Sequence, residues 1–121
     1  MLDISNWHGE AGKQILPAFS LIFGAIDGNG KVPVQGHGSE TLFYGEYTIN
    51  GKLDVTEKSM VLEQRWPGKD WHLHIEVVWE PDRNCFFGRF RYSDKKYWRK
   101  YRLEPIIGSI DNRKTEPNYV R

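Results

Sequence analysis

The fold is decided by Trp71-His-Leu-His-Ile-Glu-Val-Val-Trp79-Glu80, then Pro81-Asp-Arg-Asn84, then Cys85-Phe-Phe-Gly88-Arg-Phe-Arg-Tyr92. In the first run Trp71, Leu73, Ile75, Val77 and Trp79 share one face, and His72, His74, Glu76, Val78 and Glu80 share the other. Alternation of this kind marks a strand with one buried face. Pro81–Asn84 supplies turn residues, so the second run folds back on the first. With a four-residue loop, Glu80 faces Cys85, and the inward pairs are Trp79/Phe86, Val77/Gly88, Ile75/Phe90 and Leu73/Tyr92. The outward pairs are Val78/Phe87, Glu76/Arg89 and His74/Arg91. Every inward position is apolar, aromatic or glycine, and one outward pair carries opposite charges, as cross-strand pairing requires.

Similar runs recur outward from this hairpin. Strands are expected near 16–27, 31–38, 42–53, 60–66, 71–80, 85–92 and 97–104, with a shorter one over 3–8. The connections Asp27–Gly30, Gly38–Thr41, Asp54–Ser59, Pro67–Asp70, Pro81–Asn84 and Ser93–Lys96 are short enough for hairpins. No long helical stripe is present, although 9–15 has room for one turn. Two further registers follow. One sets Phe23 against Val34 and Leu21 against Gly36, and the other sets Leu53 against Met60 and Tyr47 against Trp66. The expected fold is all-β: an antiparallel meander of seven or eight strands closed into a small up-and-down barrel, which removes its edges. Residues 1–104 form the barrel domain and 105–121 a polar C-terminal tail. The core is led by Phe19, Leu21, Phe23, Tyr47, Ile49, Leu62, Leu73, Ile75, Val77, Trp79, Phe86 and Phe90.

At 121 residues the chain is one domain's worth. No apolar run approaches the ~18 residues of a membrane helix, so no membrane span is expected. Met1–Trp7 lacks the regions of a signal peptide. A single cysteine, Cys85, excludes an internal disulfide and a multi-cysteine metal site, which favours a reducing, cytoplasmic compartment. The net charge of +1 conceals a segregation. Residues 1–82 carry 6 basic and 12 acidic side chains, whereas 83–102 carry 8 basic and only Asp94. The basic stretch also holds seven aromatics: Phe86, Phe87, Phe90, Tyr92, Tyr97, Trp98 and Tyr101.

Trp7-x-Gly9 ahead of the meander, Gly36-x-Gly38, Gly45-x-Tyr47-x-Ile49-x-Gly51 and Gly88-x-Phe90-x-Tyr92 together resemble the lipocalin and avidin group of up-and-down barrels. The resemblance covers about residues 5–104 and implies the architecture. None of the group's biotin-binding residues carries over.

Three constellations bear on function. Pairing Tyr92 with Tyr97 sets Phe90 against Arg99 and Gly88 against Tyr101, which turns Arg99 inward. An inward Arg needs an anion or several acceptors, and Arg grips a carboxylate bidentately. Arg99-x-Tyr101 is similar to the carboxylate clamp of intracellular fatty-acid-binding proteins. The leading expectation is therefore non-catalytic binding of a small apolar or aromatic acid in the lumen. Arg99 and Tyr101 hold its anionic end, and Tyr47, Trp66, Trp79 and Phe90 line the cavity. The alternative is an Arg99 at the barrel rim, paired with an acid such as Glu104 or facing solvent.

The second constellation is the outer face of residues 85–102, where Arg89, Arg91, Trp98, Lys100 and Arg102 offer a protein or polyanion partner a cationic, aromatic surface. Its plain alternative is a solvated strand face. The third is His72-x-His74-x-Glu76, which gathers two imidazoles and a carboxylate on one face as a metal candidate, with His37 or His8 as a further ligand. Arg89 and Arg91 opposite disfavour a divalent cation there. Catalytic patterns are nearly absent: there is no Gly-x-Ser-x-Gly, P-loop or His-Glu-x-x-His. No cofactor is called for. An isomerase or hydrolase working in the barrel mouth stands third.

Overall fold

The computed structural model describes residues 6–40 and 45–105. Eight strands run in chain order: β1 (Trp7–Ala11), β2 (Gln14–Phe23), β3 (Lys31–Glu40), β4 (Gly45–Asp54), β5 (Ser59–Arg65), β6 (His72–Glu80), β7 (Cys85–Tyr92) and β8 (Arg99–Pro105). Each pairs antiparallel with the next, and β8 returns to β1 to close the barrel. The expected all-β barrel is what forms. The β6–β7 ladder carries the pairs expected of it, from Leu73/Tyr92 to Glu80/Cys85. The Phe23/Val34, Leu21/Gly36 and Leu53/Met60 pairs form as well.

Inward residues from all eight strands make one apolar cluster. It includes the expected core and adds Trp7, Leu16, Val32, Val34, Met60, Trp66, Tyr101 and Leu103; Trp79 is only partly buried against it. Curvature is made possible by glycine at the closest strand approaches. A Cβ at Gly88 would lie 2.0 Å from the Glu76 carbonyl oxygen. Any side chain there would force β6 and β7 apart.

Several boundaries differ from expectation. Among the described residues the first strand runs over 7–11, past the end expected at 8, while residues 3–5 of the expected 3–8 lie outside the described residues; 9–15 holds no helical turn. Instead Gly12, at φ +65, forms the tight turn into β2, and its N–H donates to the Lys100 carbonyl 2.7 Å away. A bulge between the Trp7/Phe19 and Gly9/Leu16 pairs breaks the alternation that would have announced β1. β3 continues through Glu40, which pairs with Gly45, so part of the turn expected at Gly38–Thr41 is strand. The Tyr92/Tyr97 pair does not form: the chain leaves the ladder after Tyr92, and Tyr97 is exposed rather than inward. Of the tail expected at 105–121, Pro105 closes β8, and 106–121 lies outside the described residues.

The two barrel ends differ. Turns 24–30, 55–58 and 81–84 gather with Trp7 at one end; Gly12, 66–71 and 93–98 gather at the other. These are called below the Trp7 end and the Arg99 end.

Candidate functional site

The Arg99 end is walled with aromatic rings. Tyr47 and Trp66 lie 5.5 Å apart between centroids, Trp66 and Trp71 5.4 Å, and Trp71 and Tyr92 5.4 Å. Beneath them Phe90 lies 5.6 Å from Tyr101. Above this layer Trp71, Tyr92, Asp94, Lys95, Tyr97 and Arg99 enclose a recess of about 310 Å³. A second open recess, of about 480 Å³, sits where β2 and β3 part, between Phe19, His37, Gly38 and Tyr47. The β2–β3 ladder stops at Ser20/His37, although both strands run on beyond it.

The turn that carries Asp94 and Lys95 is tightly tied. The Lys95 N–H donates to the Tyr92 carbonyl at 3.0 Å, and the Ser93 N–H to the His72 carbonyl at 2.8 Å. The His72 N–H donates to Ser93 Oγ at 3.0 Å. Arg91 Nη1 donates to the Lys95 carbonyl at 3.1 Å. On the outer surface, Trp98 takes the Arg89 guanidinium over its ring at 3.9 Å and that of Arg91 at 5.4 Å, with His74 edge-on at 6.0 Å. This cation–π clamp holds the loop's far end against the barrel wall.

The structure separates the residues expected to share one lumen. Arg99 does pair with Phe90, but it is the first residue of β8, so its side chain passes over the edge and is exposed. Its Nε would lie 3.6 Å from a Cβ built on Gly12. Inward register at a strand end places a long side chain at the rim, not in the core. Tyr101, two residues deeper, is 1% exposed and donates its hydroxyl to Gln64 Oε1 at 3.1 Å. Burial pushes its phenol above the ordinary tyrosine range. It therefore does not stand beside Arg99 as a second gripping group. Tyr47, Trp66 and Phe90 are buried in the core, and Trp79 packs on Phe86 at the Trp7 end, 5.1 Å between centroids.

On the outer face, Arg89 pairs with Glu76 at 3.1 Å and Arg102 with Glu10 at 3.3 Å and with Glu104. Lys100 is exposed. His72 and His74 each meet a different carboxylate, Glu63 at 3.7 Å and Glu76 at 2.9 Å. His8 pairs with Glu104 at 3.0 Å, and His37 stands exposed on β3. No group of three metal-ligating side chains gathers among the described residues. Burial, reinforced by the positive charge of Arg65, holds the His72 imidazole below its usual range. Cys85 is buried, which raises its thiol. Among the described residues no helix is long and apolar enough to cross a membrane.

Sequence reasoning missed Asp94, Lys95, Trp71 and Tyr97 as site residues. The signal available was their position: all four flank or form the connections at one barrel end. The closed, antiparallel, eight-stranded barrel is consistent with the architecture of the lipocalin and avidin group. No protein-family model, curated protein or solved structure matches the chain.

Proposed function

We propose that the protein is a non-catalytic binder of a small aromatic acid, held at the barrel mouth rather than deep in the lumen. The observation that carries this reading is the recess of about 310 Å³ at the Arg99 end, with rings on its walls and cations on its rim. Its volume is at the small end of ligand pockets, which suits one ring system. Trp71 and Tyr92 offer faces and edges for stacking. Arg99 offers two parallel N–H donors to a carboxylate, and Lys95 adds a point charge. Neither cation forms an ion pair among the described residues. The outer-face reading, a polyanion or protein surface, is less well supported, because Arg89 and Arg102 already have carboxylate partners.

Calorimetric titration with 3-phenylpropionate tests the reading. Arg99→Ala is expected to lower affinity by about tenfold and to leave the thermal midpoint unchanged. Equal affinity in the two proteins would remove the mouth site from consideration.

A further inference from the structure

The recess that holds two cations also holds one acid. Asp94 is the single acidic residue of the strongly basic stretch 83–102, and it lines the same recess as Lys95 and Arg99. It occupies the third position of the turn closed by the Lys95 N–H to the Tyr92 carbonyl. The bonds from His72, Ser93 and Arg91 fix that turn in place. Asp94 forms no ion pair with either cation beside it, nor with any other described residue. Opposite charges are thus set around one aromatic-walled space without neutralising each other.

The nature of the ligand follows from that arrangement. A ligand with a carboxylate alone gains Arg99 but meets Asp94 as a nearby like charge. A ligand with an ammonium alone has the reverse difficulty at Arg99. A molecule bearing both turns each repulsion into an attraction, and discrimination of this kind rests as much on the mismatched charge as on the matched one. Its ammonium also gains from the aromatic faces.

From this we infer that the recess selects a zwitterion, an amino acid with an aromatic side chain. Its ring packs on Trp71 and Tyr92, its carboxylate meets Arg99 and its ammonium meets Asp94. The inference rests on the mouth-binding reading above and sharpens its ligand class.

The test compares three probes on the full chain by calorimetry: 3-phenylpropionate, 2-phenylethylamine and phenylalanine. Wild type is expected to bind phenylalanine at least about fivefold more tightly than either of the others, the scale of one rim ion pair. Asp94→Asn is expected to erase the preference over 3-phenylpropionate, and Arg99→Gln to erase the preference over 2-phenylethylamine. Both positions lie on the rim, so thermal midpoints should match wild type. If 3-phenylpropionate binds as tightly as phenylalanine, and Asp94→Asn changes neither, the zwitterion inference is overturned while mouth binding stands. If none of the three binds at millimolar concentration, both are overturned.

Discussion

Both ends of the barrel carry aromatic rings and use them in opposite ways. At the Trp7 end, Trp7 is fully buried and touches Phe23 and Phe86 at 6.0 and 6.1 Å between centroids. The turns around it are sewn together. Asp27 Oδ1 accepts the Asn29 and Lys31 N–H groups, and Asp54 Oδ1 accepts those of Thr56 and Glu57. Lys31 Nζ reaches Asp54 at 2.9 Å, and the Val55 N–H donates to the Gly30 carbonyl at 3.0 Å, joining one turn to the next. At the Arg99 end the rings stop short of closure. Trp71 and Tyr92 are only partly buried, Tyr97 is exposed, and both recesses open there. The same residue type seals one end and leaves a receptive surface at the other. What differs is whether the adjoining turns carry carboxylates that satisfy their own backbone or charges that line a recess.

Substitutions can break this contrast. The largest effect is expected at the sealed end. Trp7→Ala removes a fully buried ring and should destabilise the protein by about 3–5 kcal/mol in urea unfolding. A loss under about 1 kcal/mol would mean that the Trp7 end is not the structural anchor. A middle effect is expected in the layer beneath the open end. Tyr101→Phe leaves Gln64 Oε1 without its hydroxyl donor and should cost about 1–3 kcal/mol. Because Tyr101 lies below the recess, 3-phenylpropionate affinity should be retained; a large loss of affinity would put the site in the lumen after all.

The smallest effect is expected on the outer face of the open end. His72 titrates below its usual range, so the unfolded chain takes up a proton there more readily than the folded one. Its contribution is complete above about pH 6.5 and is lost as pH falls through the lower folded value. Glu63, held down chiefly by Arg65, and Glu76, held down chiefly by its bond to His74, add losses of the same sign at pH values below about 4.5. The urea midpoint should therefore decline in two stages on acidification. His72→Gln should remove only the upper stage; an unchanged profile would assign it to another group.

The central hairpin was legible because alternation and loop length fix a register together. Glu80 opposite Cys85 determines every later pair through Leu73/Tyr92, and a slip of one residue would turn the whole apolar face outward. β1 was not legible. Its bulge against β2 spoils the period of two, and its turn depends on one glycine in the left-handed region. The site was half legible. Alternation says which face Arg99 shares, but not that Arg99 opens its strand and so lies at the rim. Asp94, in a turn with no periodicity, carries no pattern at all. It shares a recess with Arg99 because the 93–98 connection that carries it leads straight into β8.

The parting of β2 from β3 has a mechanical consequence. β3 is bonded to β4 along the full length of both strands, from Lys31/Asp54 to Glu40/Gly45, while its ladder to β2 ends at Ser20/His37. Among the described residues the β1–β2 ladder on the other side of β2 is equally short and is broken by a bulge, so β2 is the strand held least along its length. Opening is expected to begin at β2, with the β2–β3 amides exchanging with solvent at a lower free energy than those of β3–β4. The strand that borders the larger recess is thus also the one the barrel can release most easily.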